Sequence, residues 1–380
     1  MRHLLRTAPI AWRMLTDRPW RTLLSSLGVT FSVLIMFMEL GFFNGSNDSS
    51  ANLPPLFDCD LVMSHKEKTH MKTGEEFHWL RLQQLRGVEG VRTAVPLYTS
   101  ATYWWNPQDH TRNRVYVLGV DPDDPMIKVA AIAEHREELK ADGAVLFDRL
   151  SRRDLGVITP GMHTTLGRAA VHVVGLFDLG PNFTYEGHLI ASRDTFLKAL
   201  GDPPTWVDLA LIRLAPGQTV DAVRARIYAA LPDDILLLTP KELYSREVYV
   251  TTRRSPAGVV FGIGLLVGFG IGVIVCYQIL FNEVTDNLPQ FATMKAMGHQ
   301  AGFISGIVLN EALFLAVVGY LPGLLASFFL YQAIEHFTQI RMFLTVPRAL
   351  LIFVLAGGMC LAAGRLALRK VHGADPADLY

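Results

Sequence analysis

Hydrophobic and polar positions divide this chain into four long apolar stretches and one large polar insert. The first stretch, Leu23 to Phe43, has Glu39 as its only charged residue, and the second, 257–281, has no Asp, Glu, Lys or Arg. Each is long enough to cross a hydrocarbon core of roughly 30 Å at about 1.5 Å per residue. Two further stretches cover 303–333 and 350–368. The sequence therefore predicts four transmembrane helices.

The insert between the first two stretches alternates strand-like and helix-like runs, which is typical of a mixed α/β domain. Strand-like runs cover 60–63, 114–120, 144–147, 171–177, 188–191 and 208–214, and helix-like runs cover 75–85, 193–200, 220–231 and 240–252. The last helical run leads almost directly into the second stretch, which predicts one continuous helix there. The predicted fold is an α-helical membrane protein with a large extracytoplasmic α/β domain, of one or two lobes, between helices 1 and 2.

These patterns divide the chain into consecutive segments. They are a cytoplasmic amphipathic helix (1–22), transmembrane helix 1 (23–43), a periplasmic α/β domain (44–256), transmembrane helix 2 (257–281), a cytoplasmic coupling loop (282–302), transmembrane helix 3 (303–333), a short periplasmic loop (334–349), transmembrane helix 4 (350–368) and a cytoplasmic tail (369–380).

Basic residues near the helix ends predict the orientation, because cytoplasmic flanks are enriched in Lys and Arg. Five arginines precede the first stretch, and residues 44–50 after it contain no basic residue. The N-terminus is therefore expected in the cytoplasm of a bacterium. Four crossings return the C-terminus to the same side, where Arg365, Arg369 and Lys370 agree, and they outnumber Arg341 and Arg348 on the other side. The predicted location is the inner membrane.

The segment before the first stretch has apolar residues at helical spacing, with Arg2, Arg6 and Arg13 off that stripe. Such a helix either lies on an anionic membrane surface or packs against the protein's own helices. The sequence favours neither. Membrane lipids are expected partners in both cases.

Composition and motifs exclude several functions. Half of the residues are hydrophobic, 18% are charged and the net charge is zero, so we expect no nucleic-acid partner. The phosphate-binding loop Gly-x-x-x-x-Gly-Lys-Ser/Thr is missing from the sequence, as is the Gly-x-Ser-x-Gly elbow. His65, His70 and His78 match no zinc spacing. We therefore predict no catalytic, cofactor or metal site. Cys59, alone in the insert, is expected as a free or buried thiol.

Polar and small residues in the apolar stretches indicate helix packing. Asn310 and Glu311 lie deep in the third stretch, where a carboxylate must face protein, and we interpret them as a polar lock between helices rather than a proton relay. Glu39 is expected near the outer interface. Small residues let helices approach closely, within one chain or across a dimer. These glycines are Gly258, Gly262, Gly264, Gly268 and Gly272 in the second stretch and Gly319 and Gly323 in the third.

The loop between the second and third stretches is the best candidate for contact with a cytoplasmic partner. Its residues Phe291, Met294, Lys295 and Gly298 recur at helical spacing, and the glycine is placed to end a short helix. The alternative is an ordinary surface loop. The candidate contact residues are Glu283, Asp286, Pro289, Phe291, Met294, Lys295 and Gly298.

At this loop the chain resembles the FtsX/MacB family of ABC transporter permeases, whose loop ends in a motif similar to residues 291–298. The run Asp286-Asn287-Leu288-Pro289 resembles the DevC branch specifically. Weaker similarities lie at 105–107, 118–122, 145–148 and 374–377, and Glu311 matches a glutamate that such permeases carry ahead of a Gly-x-x-x-Gly series.

The resemblance implies a non-catalytic homodimeric permease with separate ATP-binding subunits, a periplasmic adaptor and an outer-membrane channel. ATP would be bound by the partner subunit and drive motion of the periplasmic domain, exporting an amphiphile such as a glycolipid. Two other functions fit the same family: regulation of a cell-wall hydrolase and release of lipoproteins from the membrane.

Overall fold

The computed structural model describes residues 2–17, 19–254, 256–339 and 342–373. The similarity at 374–377 lies outside them. Helices are α1 (Arg2–Asp17), α2 (Pro19–Ser50), α3 (Leu80–Arg86), α4 (Ala130–Glu134), α5 (Arg136–Leu139), α6 (Arg193–Leu200), α7 (Val220–Ala230), α8 (Pro240–Arg253), α9 (Pro256–Asp286), α10 (Leu288–Ala296), α11 (Ala301–Thr338) and α12 (Val346–Gly373). Strands are β1 (Leu61–His65), β2 (Phe77–His78), β3 (Val91–Trp105), β4 (Arg112–Val120), β5 (Ala144–Asp148), β6 (His163–Leu166), β7 (Ala169–Phe177), β8 (Gly187–Ser192), β9 (Trp206–Val207), β10 (Leu209–Leu214) and β11 (Ile235–Leu238).

The chain forms two compact units, one of them helical and apolar. Residues 1–44, 259–334 and 342–380 make up this membrane unit. Helices α2, α9, α11 and α12 each contain a segment long and apolar enough to cross a membrane. Val33, Phe37, Tyr320 and Met359 contribute to the buried core that α2, α11 and α12 share. The predicted set of four transmembrane helices is confirmed.

The second unit, residues 45–258 with 335–341, is the inserted α/β domain. Its main sheet has the strand order β11-β1-β10-β3-β4-β8-β5-β7-β6, and β2 pairs with β9 separately. The long strand β3 joins the two halves of this sheet: residues 91–97 pair with β10, and residues 98–105 pair with β4. The α/β domain is thus one compact unit whose sheet has two halves that share β3.

Helices cover both faces of this sheet, as an α/β domain with a buried sheet requires. Leu85 of α3, Phe196 of α6 and Ile227 of α7 lie in the core on one face. Ile132 of α4 and Leu243 of α8 lie in the core on the other. This three-layer arrangement is the predicted mixed α/β class.

Several helix boundaries differ from the predicted ones. Helix α2 runs from Pro19 to Ser50 instead of 23–43, and the predicted helix 75–85 contains strand β2 before α3 begins at Leu80. Helix α9 continues to Asp286, into the segment expected as a loop. Helix α8 ends at Arg253 and α9 begins at Pro256, so the expected continuous helix is two helices. Proline is favoured in the first turn of a helix and disfavoured inside one, which accounts for a new helix at Pro256.

Candidate functional site: the short helix between the second and third spans and the helix contacts behind it

The segment between α9 and α11 contains a short helix. Asn287 separates α9 from α10, and its side-chain amide donates to the carbonyl oxygen and to the carboxylate of Glu283, both at 3.0 Å. Pro289 lies in the first turn of α10, where its missing N–H costs nothing. Gly298 follows the helix with a φ of 90°, which favours glycine. The chain between the two spans is therefore a defined helix with a defined stop.

Helix α10 has a buried side and an exposed side. Phe291 is buried in a cluster with Ala11, Val284 and Ile304, and Met294 packs against the same cluster. Exposed residues of the segment include Pro289, Gln290, Thr293, Lys295, Ala296, Met297 and Gly298. The predicted contact residues thus fall into two groups. Phe291 and Met294 anchor α10 to the membrane unit, whereas Pro289, Lys295 and Gly298 are exposed.

The accessible part of this segment offers one positive charge beside an apolar side chain. Lys295 is exposed, and Met297 is 68% exposed. Of the two predicted acidic contacts, Glu283 is half-buried and accepts from Asn287, whereas Asp286 is exposed. A flexible apolar side chain such as that of Met297 is suited to contact with a protein surface. Met297, which the sequence analysis did not select, belongs to this surface.

Glycines of α9 let α2 approach closely. A Cβ atom at Gly264 would overlap the Glu39 carboxylate, and one at Gly268 would lie 2.9 Å from Ile35. At Gly272 it would overlap the sulfur of Met359. These three glycines serve packing within the chain.

Glycines of α11 let α11 approach another side of α2 closely. A Cβ atom at Gly319 would lie 2.5 Å from Val29, and one at Gly323 would lie 2.7 Å from Val33. The Thr30 hydroxyl also donates to the carbonyl of Gly319 at 3.1 Å.

The remaining two predicted packing glycines behave differently. A Cβ atom at Gly258 would overlap the carbonyl of Thr251, and one at Gly262 would have nothing within 4 Å.

The polar lock in the third span is formed by Asn310. Its amide donates to the hydroxyl of Thr7 at 2.8 Å and to the carbonyl of Gly306 at 3.0 Å, which ties α11 to α1. Glu311 is fully buried, and neither of its carboxylate oxygens has a hydrogen-bond partner among the described residues. The lock therefore pairs Asn310 with Thr7, a residue that the sequence analysis did not single out.

Helix α1 packs against the protein's own helices. Ala11 and Leu15 are buried, and the Trp12 ring meets the Phe314 ring edge-on with centroids 5.3 Å apart. Together with the Thr7 contact, this favours the second of the two alternatives for the N-terminal helix. The helix forms part of the membrane unit.

Inside the α/β domain, α8 is tied to the segment between β1 and β2 through the peptide of Met71. Its N–H donates to the Glu247 carboxylate at 2.9 Å, and its carbonyl accepts from the hydroxyl of Tyr116 at 3.1 Å. Arg246 adds a 2.7 Å bond to the carbonyl of Lys68. The backbone of one residue, Met71, thus connects α8 with the sheet.

His70 completes this contact. Its Nδ1 accepts from the N–H of Lys72 at 3.1 Å, so the ring proton of the neutral imidazole is on Nε2. That nitrogen lies 3.1 Å from the second oxygen of Glu247. We call these contacts of Glu247 with His70 and Met71 the α8 clasp. Of the three histidines considered as metal ligands, His70 thus has a structural partner.

Burial shifts the pKa values of the clasp in opposite directions. It raises the pKa of Glu247 to about 7, although Met71 N–H and the charge of Lys72 act against it. Burial, with the charges of Lys72 and Lys68, lowers the pKa of His70 to about 4. Near neutral pH the imidazole is therefore uncharged and Glu247 is close to its titration midpoint.

Two further results concern the cysteines. Cys59 is a free thiol, and burial raises its pKa to about 12. Cys276 of α9 and Cys360 of α12 are also free, with sulfur atoms 3.2 Å apart. The contact between Cys276 and Cys360 joins two predicted spans.

Comparison with known families matches residues 258–376 to the FtsX-like permease C-terminal family. The matched region runs from Gly258 in α9 through α12 and is similar to the C-terminal domain of that family. No curated protein matched the sequence.

Solved structures with similar regions include three extracellular or permease domains. The periplasmic region of MacB from Actinobacillus actinomycetemcomitans aligns at 7% identity over 51% of this chain and 93% of its own, with a TM-score of 0.37. The extracellular domain of the noncanonic ABC-type transporter YknZ from Gram-positive bacteria aligns at 10% identity over 48% and 99%, with a TM-score of 0.33. A domain of a putative permease protein from Porphyromonas gingivalis aligns at 16% identity over 48% and 88%, with a TM-score of 0.29.

Proposed function

We propose that this protein is the permease subunit of an ABC-type exporter and passes ATP-driven motion from a separate ATPase subunit to the inserted domain. The observation that carries the proposal is the FtsX-like match over residues 258–376, which includes an amphipathic helix anchored by Phe291 with Lys295 exposed. The chain has no phosphate-binding loop in its sequence, so the proposal places ATP hydrolysis in the partner.

The proposed assembly follows the resemblance to the DevC-like branch. Both termini and α10 lie in the cytoplasm, and the α/β domain lies in the periplasm. The permease is a homodimer in the inner membrane and works with a periplasmic adaptor and an outer-membrane channel. Its substrate is an amphiphile such as a glycolipid. The cluster of arginines before α2 supports this orientation.

Within this assembly, the exposed side of the coupling segment is the contact for the ATPase. Lys295 provides the charge and Met297 the apolar surface, and Pro289 and Gly298 fix where the helix begins and ends. Because the opposite side of α10 is packed by Phe291, a push on the exposed side is transmitted to α1 and α11 rather than absorbed by a flexible loop.

The test is affinity purification of tagged protein from native membranes, with identification of co-purifying chains and measurement of their ATPase activity. We expect an ABC ATPase together with an adaptor, and Lys295→Glu should lower recovery of the ATPase at least tenfold. Lys198→Glu is the control, since Lys198 is exposed in the α/β domain and pairs with Asp142.

Other outcomes would redirect the assignment. Recovery of a cell-wall hydrolase in place of an adaptor would favour the regulatory function. Recovery of lipoproteins with a second, different permease would favour lipoprotein release. Preparations with no ATPase would contradict all three.

A further inference from the structure

A cavity of about 510 Å³ lies between the start of α8 and the segment that follows α2. Its apolar lining residues are Pro54, Pro55, Phe57 and Tyr244, of which Pro55 and Tyr244 are exposed and Pro54 and Phe57 are buried. The volume falls within the range of about 300–1,000 Å³ that small-molecule sites occupy. All of its lining residues belong to the α/β domain.

Hydrogen bonds hold the wall in place. Phe57 forms an antiparallel bridge with Ile127, and bonds of 2.7 Å from Asp58 N–H to Met126 and from Lys128 N–H to Leu56 flank it. Across the cavity, α8 begins with a capping box between Thr239 and Glu242. Both sides are therefore fixed before any ligand arrives, which lowers the entropy cost of binding.

The charges that line the cavity are positive. Lys128 and Lys241 line it, and its lining contains no acidic residue. Lys128 has a nearby carboxylate, Asp58, at 3.5 Å, but both side chains are more than half exposed, so this pair is weak and Lys128 remains available to an anion. Lys241 is exposed at the first turn of α8.

We propose that this cavity binds a single-chain anionic amphiphile, with its carboxylate or phosphate between Lys128 and Lys241 and its chain along Pro55 and Tyr244. A neutral chain would lose the two charge contacts, and a hydrophilic anion would leave the exposed surfaces of Pro55 and Tyr244 in water. The inference rests on the proposed function, since it gives the exported amphiphile a site in the α/β domain. Thr239 and Pro240 of the lining lie at the start of α8, so occupancy bears directly on the helix that precedes α9.

The test uses the full chain in nanodiscs of zwitterionic lipid and a fatty acid carrying a photoreactive diazirine, with adducts located by mass spectrometry. We expect adducts on the peptides that contain Phe57 and Tyr244, beside those on the spans. Excess oleate should remove the cavity adducts, whereas monoolein, which has the same chain without the charge, should not.

The double variant Lys128→Gln/Lys241→Gln should reduce the cavity adducts about tenfold, and both side chains are exposed, so the fold is retained. Lys198→Gln is the matched control. Adducts confined to the spans, equal competition by monoolein, or full labelling of the double variant would each overturn the proposal. Because the measurement needs no ATPase, its failure is separate from failure of the exporter assignment.

Discussion

Single atoms decide how closely the spans approach. A Cβ atom at Gly319 would lie 2.5 Å from Val29 Cγ1 and 2.6 Å from Val29 Cβ, which is part of a stiff branched side chain. At Gly262 a Cβ atom would meet nothing within 4 Å. The same residue type therefore has opposite meanings at two positions, and the sequence alone does not distinguish them.

Gly319→Ala should destabilise the protein, although alanine favours helix formation by about 1 kcal/mol over glycine. The added methyl forces α2 away from α11, at a cost of about 1–3 kcal/mol for overpacking. Thermal unfolding of the purified protein in nanodiscs measures this effect. Gly262→Ala is the control and should be neutral or stabilising. Equal shifts for both variants would contradict the close contact.

Glu247→Gln should change how stability depends on pH. A carboxyl group whose pKa is raised in the folded state contributes stability below its unfolded pKa and loses it as pH rises through the folded value. For Glu247 that value is about 7. His70 acts in the opposite direction over this interval, because its folded pKa is about 4 while the unfolded imidazole, with a pKa of 6.5, is still partly protonated at pH 6.5. Between pH 6.5 and 8 the wild type should lose about 1 kcal/mol from Glu247, and His70 offsets part of that loss in the wild type and in the variant alike.

Denaturant unfolding at pH 6.5 and pH 8 measures the difference. Burial raises the pKa of Glu76 to about 7 as well, so the wild type keeps a second contribution of the same sign. Glu76→Gln should remove only the Glu76 contribution to the pH dependence of stability. The double variant Glu76→Gln/Glu247→Gln should remove the contributions of both residues. If Glu247→Gln leaves the wild-type pH dependence unchanged, the clasp does not carry a titrating carboxyl group.

At the scale of elements, the sequence predicts the regular helices and the buried strands well and misses the elements whose pattern is mixed. The sequence does not predict strand β3, because Pro96 interrupts the strand and because its buried and exposed positions do not alternate. The break between α8 and α9 had a signal in Pro256. Partners distant in sequence, such as Thr7 with Asn310, leave no local pattern.

The division of α10 into an anchor and a contact surface makes a prediction that separates the two. Phe291→Ala should remove the packing of α10, with a cost of about 3–5 kcal/mol for a buried phenylalanine. Hydrogen exchange of the peptide 288–297 should then become faster. Met297→Ala should leave that exchange rate unchanged and weaken ATPase recovery. If both variants lowered the amount of ATPase recovered and left the exchange rate of this peptide unchanged, Phe291 would belong to the partner contact.

At the scale of the whole molecule, the number of spans predicts which parts of the chain lie on the same side of the membrane. This prediction is the same for either direction of insertion. With four candidate spans among the described residues, we expect both ends of the chain on one side of the membrane and the α/β domain on the other. Arg348, which donates to the carbonyl of Phe343, is then expected on the same side as the α/β domain. We propose that the arginines before α2 set the orientation, because basic residues in short flanks of the spans are enriched on the cytoplasmic side.

Reporter fusions test this arrangement. Alkaline phosphatase, which is active only outside the cytoplasm, should be active when inserted in the exposed turn at Gly217 and inactive when fused to the C-terminus. Green fluorescent protein at the C-terminus should fluoresce. Activity of the phosphatase at both positions would mean an odd number of crossings. Activity at the C-terminus alone would keep four spans and reverse the orientation, which would place α10 outside the cytoplasm and exclude contact with an ATPase.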